Sequence, residues 1–334
     1  MVKVGVIGVG GMGTTHLDAY SKVADAQVVA VADLLEERRT GAFTQKGNIK
    51  GQAEGGHDFS AWKQYDEGMK LIADPEIELV DVCLPTPLHH PFVLAALKAG
   101  KHVITEKPFS LTGAQADEMV AAAKDSPGVL MCALCMRFWP AWSWLRDRVA
   151  EGTYGKVYSA LFRRVAQNPG RWFADGAQSG GGILDLHIHD VDFVQYCFGR
   201  PTGVFSRGYI KDTGAVDHAT TQFIYPDIPL VVAEGGWSMA NGYGFKMQYE
   251  VNFESATAVF DISGDPQLTV RQGGETTAIE VAPGAGYEYE LRYLIDCIQK
   301  GEQPKLADAE SAAYSIKLVE AEVESIKTGQ VVAV

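Results

Sequence analysis

The chain has 334 residues, of which 46% are hydrophobic, and a formal net charge of −13 at pH 7. A chain of this length and apolar content buries a substantial core, and the length alone predicts two domains rather than one. The negative charge argues against binding to nucleic acid or to an anionic membrane surface, because both would repel the chain.

The N-terminal segment MVKVGVIGVGGMG is apolar but short and interrupted by glycines, so we interpret it as a first strand and not as a signal peptide. No stretch is long enough to predict a membrane span. The five cysteines, an odd number without a secretory signal, predict reduced thiols and a cytoplasmic location. Cys132 and Cys135 form a C-x-x-C, but no second pair completes a zinc site. We therefore expect small buried side chains there and no metal.

In chain order, the first half alternates strands with helices. The apolar runs VKVGVIGVG, AQVVAVAD, IELVDVCLP, KHVITEKP and GVLMCAL predict strands, and PFVLAALKAG and GAQADEMVAAAK predict helices between them. This alternation predicts a parallel sheet in a first domain over residues 1–128. The glycine- and glutamine-rich segment from Gly41 to Asp58 predicts a long surface excursion after the second strand.

The second half, residues 129–334, has a different pattern. An amphipathic helix over MRFWPAWSWLRDRVAEGTYGKV is followed by a series of alternating segments that includes KVYSALFRRV, LVVAEGGW and KMQYEVNFE. Strands in series with short turns predict an antiparallel sheet. The segments YEYELRYLIDCIQKG and DAESAAYSIKLVEAEVESIKTG predict two C-terminal helices. The fold class is therefore α/β, with a second domain that contains a large antiparallel sheet.

A glycine motif lies directly after the first predicted strand. G-x-G-x-x-G at this position allows a tight turn, close approach of a pyrophosphate and close helix packing, with the phosphates at the helix N-terminus. Asp33 ends the second strand about twenty residues later, where a carboxylate binds ribose hydroxyls and repels a 2′-phosphate. We therefore predict NAD rather than NADP, although Arg38 and Arg39 follow closely. The predicted contacts are Gly8, Gly10, Gly11, Met12, Gly13 and Asp33.

Two further motifs follow strands of the same predicted sheet. PTPLH follows IELVDVCL, and EKP follows KHVIT, so both fall at carboxyl ends of parallel strands, where open α/β sheets bind their ligands. From position alone Lys107 could equally be an ordinary surface lysine. The residues predicted to contact the cofactor here are Leu84, Pro85, Thr86, His89, Glu106 and Lys107.

The stretch GGGILDLHIHDVD, from Gly180, carries two histidines among acidic residues. Asp185 and His189 are four residues apart and would share one face of a helix, whereas His187 would lie on another. A metal site would need further converging ligands, and a structural histidine is the other alternative. Proton transfer is the leading interpretation, because histidine exchanges protons near neutral pH.

These motifs together resemble a known family. GVIGVGGMGTTH, CLPTPLHH, AGKHVITEKP and GGGILDLHIHDVD occur in the order and spacing of the Gfo/Idh/MocA oxidoreductases. The resemblance covers nearly the whole chain. It implies an N-terminal Rossmann domain and a C-terminal α/β domain with a large, mostly antiparallel open sheet, through which members assemble as homodimers or homotetramers.

The resemblance also implies a reaction and its residues. Lys107, Asp185 and His189 would face the nicotinamide, with His189 as general base while hydride passes between a sugar or polyol alcohol and NAD. This chain departs from the family pattern at His187, where a small residue is common, and at Leu84, where threonine is common. His187 is therefore expected to fill or line the pocket.

Substrate binding is predicted from a polar and aromatic stretch before the glycine cluster, interpreted as a loop that grips hydroxyls. Solvated arginines and a packed tryptophan are an equal alternative. The predicted substrate contacts are Lys107, Arg163, Arg171, Trp172, Asp185, His187 and His189.

Two other functions stay open at this point. One is a glycosidase that keeps NAD bound and acts by transient oxidation, and the other is a sensor that binds NAD without turnover. Retention of Lys107, Asp185 and His189 together argues against the sensor and does not exclude the glycosidase.

Overall fold

The computed structural model describes residues 1–42 and 57–334. The segment predicted as a surface excursion lies almost entirely outside the described residues. Contacts between residues group the chain into two compact units. The first contains Met1–Trp139 and Gly284–Ala313, and the second contains Pro140–Pro283 and Tyr314–Val334.

The first unit is built on a parallel sheet, as the alternating pattern predicts. Its strands within the described residues are β1 (Val2–Ile7), β2 (Ala26–Ala32), β3 (Lys63–Tyr65), β4 (Leu79–Val82), β5 (His102–Glu106) and β6 (Leu130–Ala133). They pair in parallel in the order β3-β2-β1-β4-β5-β6. The order reverses between β1 and β4, and such a switch point creates a crevice at the carboxyl ends of the strands.

Helices connect these strands. They are α1 (Gly11–Tyr20), α2 (Glu36–Arg39), α3 (Gly68–Ile72), α4 (His89–Lys98) and α5 (Gly113–Asp125). Thr112 caps α5 by accepting a hydrogen bond from the Gln115 amide, which explains why the helix begins there. Both helices that the sequence predicts between strands, over PFVLAALKAG and GAQADEMVAAAK, are confirmed as α4 and α5.

The second unit carries a mostly antiparallel sheet, which confirms the predicted fold class. It begins with α6 (Pro140–Glu151), and its described strands are β7 (Val157–Gln167), β8 (Gly203–Tyr209), β9 (His218–Ile224), β10 (Leu230–Met239), β11 (Phe245–Phe253), β12 (Thr257–Asp261), β13 (Leu268–Gln272), β14 (Glu275–Ala278) and β15 (Val332–Ala333). Their order is β14-β13-β12-β11-β7-β10-β9-β8-β15. Among the described strands of this second sheet, only β7 and β10 pair in parallel.

An aromatic core lies on one face of this sheet. Trp142 of α6 is fully buried and packs edge-on against Phe193, Tyr249 and Phe260, and it also contacts Phe162. Edge-to-face pairs of this kind stabilise a core beyond the area that they bury. The short helices α7 (Gly176–Ser179) and α8 (Gly181–Asp185) precede the longer α9 (Ile188–Phe198). This core keeps α6 and α9 against the sheet.

The first C-terminal helix belongs to the first unit and the second runs from the first unit into the second, which differs from the expected division into residues 1–128 and 129–334. The first, α10 (Gly286–Lys300), packs against α1 and so joins the first unit. At Gly286 a Cβ atom would lie 2.0 Å from the Cys135 carbonyl oxygen, so only glycine allows this close approach. The second, α11 (Ala309–Thr328), extends from Ala313 into the second unit. The amphipathic period predicts a buried face but not the surface that covers it.

No helix in the described ranges combines the length and apolarity that a bilayer-spanning segment needs. All five cysteines lie within the described ranges, and none of them forms a disulfide bond. Cys132 and Cys135 are buried, as expected for small core side chains.

Candidate active site

The glycine motif forms a tight turn between β1 and α1. Gly8 has a φ of +90°, and a Cβ atom there would lie 2.5 Å from the Cys83 carbonyl oxygen. At Gly13 a Cβ atom would lie 2.0 Å from the Gly8 carbonyl oxygen. The first and third glycines are therefore required by the protein itself, for the turn and for close packing.

The middle glycine is different. A Cβ atom at Gly10 would approach no described atom more closely than Arg38 Nη1, at 3.6 Å. Gly10 precedes α1, and no described side chain caps the first turn of that helix. A helix N-terminus with uncapped amides and open space beside it fits a pyrophosphate, so these residues suit the dinucleotide that the motif predicts.

Asp33 lies beside this turn at the end of β2. Its Oδ2 atom accepts a hydrogen bond of 2.9 Å from the Val9 amide, and its Oδ1 atom accepts one of 2.9 Å from the Leu35 amide. The Arg38 guanidinium is 3.9 Å from Asp33 Oδ2. Asp33 is thus positioned beside the glycine turn, with a cation close to it.

The loops after β4 and β5 are joined by His89. One ring nitrogen is 2.7 Å from the Leu84 carbonyl oxygen and the other is 2.8 Å from the Pro108 carbonyl oxygen. Burial lowers the pKa of His89, although the two carbonyl groups oppose the shift. The side chain is only 1% exposed, so His89 holds the two loops together and presents no surface to a cofactor, contrary to the expected direct contact.

The EKP segment follows β5 directly. Glu106 is buried, and its Oε2 atom accepts a hydrogen bond of 3.0 Å from the amide of Lys107. Its Oε1 atom is 3.1 Å from His16 Nε2. Glu106 therefore contacts the protein through both oxygens and holds Lys107 in place, and its contact with the cofactor stays a prediction.

A buried cluster beneath the glycine turn was not predicted from the sequence. His16 of α1 is fully buried, with Nδ1 2.8 Å from Asp81 Oδ2. The Cys83 thiol is 3.2 Å from Asp81 Oδ1 and 3.5 Å from His16 Nδ1. The three ligand atoms lie within 4.8 Å of one another, the spacing of a possible metal site. Because they already contact one another, a metal would have to displace these contacts.

In the second unit, Asp185 and His189 lie on either side of a helix break. Asp185 is the last residue of α8, and His189 is the second residue of α9. Between them, the amides of Leu186 and His187 both donate to the Gly182 carbonyl. The single continuous helix expected from their spacing is therefore interrupted. Asp185 is buried and His189 is half-buried.

His187 points into the core of the second unit and does not line a pocket. Its side chain is fully buried, with Nε2 3.3 Å from Glu322 Oε1 of α11. Burial opposes a charge on this imidazole, but Glu322 outweighs it and raises the pKa of His187. A Cβ atom at Gly235 would lie 2.2 Å from His187 Nδ1. The expectation that His187 contacts substrate is corrected, since its side chain has no exposed surface.

Arg163 and Arg164 lie in β7, which confirms the strand predicted over KVYSALFRRV, and not in the loop that was expected to grip substrate hydroxyls. Arg163 is in β7 and pairs with Glu234 at 2.8 Å. Arg164 is buried and donates to both oxygens of Asp190, at 2.9 and 3.1 Å, so it supports α9. The sequence alone does not distinguish an arginine that has a buried carboxylate partner, such as Arg164, from one that is exposed and available to a substrate.

The loop itself begins after β7. Arg171 opens a short 3₁₀ turn, Arg171–Ala174, with a φ of +58°, which is uncommon for a residue other than glycine. Trp172 stacks on Phe173, with ring centroids 4.0 Å apart, and Phe173 packs edge-on against Trp237. Strained backbone conformations are concentrated at functional sites, so this turn is a candidate for ligand binding.

These features define a class of protein. A parallel sheet in this strand order, with a glycine turn, an acid at the end of β2 and functional loops after β4 and β5, is the dinucleotide-binding half of an oxidoreductase. The chain belongs to the GFO/IDH/MocA family. The model of the oxidoreductase family with an NAD-binding Rossmann fold matches residues 2–134, and the model of the GFO/IDH/MocA C-terminal domain matches residues 142–259. The protein is thus an oxidoreductase with an NAD-binding Rossmann domain.

Individual relatives support the assignment to this family. Myo-inositol 2-dehydrogenase of Thermotoga maritima is 29% identical, over 99% of this chain and 100% of the relative. Trans-1,2-dihydrobenzene-1,2-diol dehydrogenase of Mus musculus is 34% identical, over 89% of this chain and 88% of the relative. A solved levoglucosan dehydrogenase in complex with NADH and levoglucosan shares the fold, with a TM-score of 0.86 and 23% identity over 100% of this chain and 99% of that one.

Proposed function

We propose that this protein is an NAD-dependent dehydrogenase that oxidises a secondary alcohol of a sugar, sugar derivative or polyol. The observation that carries the proposal is the placement of Lys107 directly after β5, with its amide held by Glu106, in a chain that also has Asp185 and His189 at the break between α8 and α9. A protein that only bound NAD, without catalysis, would require neither a lysine directly after β5 nor the pair of Asp185 and His189.

The proposed chemistry assigns a proton to one residue and a hydride to the cofactor. Bound NAD would accept the hydride from the alcohol carbon. His189 acts as the general base that takes the hydroxyl proton, because histidine side chains exchange protons near neutral pH. Its half-buried side chain is compatible with access to a substrate.

Lys107 and Asp185 assist this step. The Lys107 ammonium donates to the alcohol oxygen and stabilises the negative charge that develops there, an effect of about 3 kcal/mol for a well-placed donor. Asp185 accepts a hydrogen bond from a neighbouring hydroxyl and orients the substrate. Arg171 and Trp172, in the strained turn after β7, are the proposed substrate contacts on that loop.

The substrate class follows from the names of the relatives. They are dehydrogenases of an inositol, a dihydrodiol and an anhydrosugar, all of which carry secondary alcohols. The test is NADH formation by the purified protein, with NAD and NADP separately, across inositols, aldoses, anhydrosugars and dihydrodiols. Accumulation of NADH with one class is the expected result.

A protein that binds NAD but forms no NADH with any of these alcohols would contradict the proposal. Release of the aglycone from simple glycosides, without net NADH, would then identify the alternative glycosidase. Absence of both activities would favour the alternative sensor.

We also propose that the protein is cytoplasmic and assembles as a homodimer or homotetramer through the outer face of its antiparallel sheet. Leu161 is 41% exposed in β7, and its neighbours across the sheet are Val232 of β10 and Glu250 of β11. Leu230 of β10 is also exposed. Light scattering of the wild type and of Leu161→Glu tests the proposed assembly. A monomeric wild type would contradict it.

A further inference from the structure

His16 connects the cofactor helix to the strand that precedes Lys107. It lies on α1, in the turn that follows Gly13, and its imidazole is fully buried. Nδ1 contacts Asp81 Oδ2 at 2.8 Å, and Nε2 is 3.1 Å from Glu106 Oε1. The second contact has the distance of an ion pair but not the alignment of a hydrogen bond. One side chain thus joins α1 to the ends of β4 and β5.

Glu106 links His16 to the backbone of Lys107. One of its carboxylate oxygens faces His16, while the other accepts the amide hydrogen of Lys107 at 3.0 Å. Because a carboxylate is rigid and planar, fixing one oxygen also fixes the other. The backbone of Lys107 is therefore held by a chain of contacts from Asp81 through His16 and Glu106.

We propose that His16 is a positioning residue for Lys107, and that it couples the cofactor helix to the loop that carries this lysine. The proposal rests on the proposed dehydrogenase function, in which Lys107 contacts the reacting oxygen. His16 itself touches neither cofactor nor substrate in this scheme.

The surroundings favour a positively charged imidazole. Asp81 and Cys83 face His16 from the end of β4, Glu106 faces it from β5, and Glu290 of α10 and Tyr20 of α1 complete the cluster. Burial opposes the charge, but Asp81 and Cys83 outweigh it and raise the pKa of His16 well above its usual value. Burial also raises the pKa of the Glu290 carboxyl and so favours its neutral form. A histidine with a proton on each ring nitrogen can hold both Asp81 and Glu106.

The test uses chemical acetylation of Lys107 in the full-length protein, read by mass spectrometry at several pH values. His16→Gln removes the charge, and His90→Gln is the matched control, because His90 also pairs with a carboxylate, Glu118, at 2.8 Å but lies near the surface. We expect faster acetylation of Lys107 in His16→Gln only, with the exposed Lys98 unchanged in every protein. An equal Lys107 rate in folded His16→Gln, or an equal change at Lys98, would overturn the proposal.

Two further measurements complete the test. With an active substrate, kcat of His16→Gln should fall between about 10- and 100-fold while NAD affinity stays constant, as expected for a displaced catalytic group. If His16→Gln does not fold, Glu106→Gln replaces it, and an unchanged Lys107 rate there would contradict the proposal. Acetylation needs neither NAD nor alcohol, so it tests the role of His16 even if no alcohol reduces NAD. Failure of every alcohol to reduce NAD would overturn the proposed dehydrogenase function and not the role of His16.

Discussion

Glu322 of α11 and His187, which directly precedes α9, form a fully buried ion pair within the second unit, with Oε1 and Nε2 3.3 Å apart. This contact anchors the chain segment between Asp185 and His189 to the C-terminal helix. Neither residue contacts solvent, so each depends on the other for compensation of its charge.

Removal of Glu322 should destabilise the fold. Glu322→Gln leaves a buried imidazole without its carboxylate, and breaking a buried pair in this way costs about 3–5 kcal/mol. Glu324→Gln is the control, because Glu324 is on the same helix but exposed. Urea unfolding of both variants measures the effect, and a loss in Glu322→Gln no larger than in Glu324→Gln would rule out the structural role.

The ion pair between His187 and Glu322 should also make the stability of the fold depend on pH. Since Glu322 raises the pKa of His187, against burial, the pair stabilises the folded state fully below the unfolded pKa of about 6.5. That stabilisation is lost as the pH rises through the folded pKa. We expect the difference in unfolding free energy between wild type and His187→Gln to narrow at alkaline pH. A difference independent of pH would mean that His187 acts only through packing.

The glycine turn allows a paired test of binding against folding. Gly10→Ala places a methyl group in open space, so we expect normal thermal stability and weaker NAD binding. Gly13→Ala forces a Cβ atom against the Gly8 carbonyl oxygen at 2.0 Å, so we expect a lower melting temperature. Calorimetry with and without NAD separates the two effects. Full NAD affinity in Gly10→Ala would argue against a pyrophosphate at this turn.

Asp33 should control the choice between NAD and NADP. Asp33→Ser removes the carboxylate that repels a 2′-phosphate and leaves Arg38 beside the glycine turn. We expect NAD affinity to fall about tenfold or more, because that is the usual contribution of a hydrogen bond to a charged group. NADP affinity should rise. Glu36→Ser, at an exposed neighbouring acid, is the control. Unchanged affinity for both cofactors in Asp33→Ser would exclude a ribose contact.

Much of the first unit could be predicted from the sequence because its signals are local. Five of the six described parallel strands follow from their apolar runs, whereas β3, with the polar sequence KQY, was not predicted. The glycine turn follows from its spacing after β1. Long-range partners could not be predicted in this way. The period of α10 indicates a buried face but not that α1 covers it, and no local signal places Glu322 beside His187.

Charged and polar residues account for most of the corrections in the candidate site. His89, Glu106 and His187 were expected at the ligand, yet each has its side chain buried against this chain. A side chain that holds a functional loop and one that contacts a ligand occur in the same motifs, so spacing alone cannot separate them. His16 was overlooked for a related reason, since its position within an apolar helix pattern gives no sign of Asp81 and Glu106.

The most direct test of the central claim is turnover of His189→Ala on the alcohol that gives the highest rate of NADH formation with the wild type. We expect turnover to fall by about 10²- to 10⁴-fold, the usual contribution of a general base, with NAD affinity unchanged. Turnover equal to that of the wild type would contradict the account, because it would remove His189 from the proton transfer on which the proposed reaction depends.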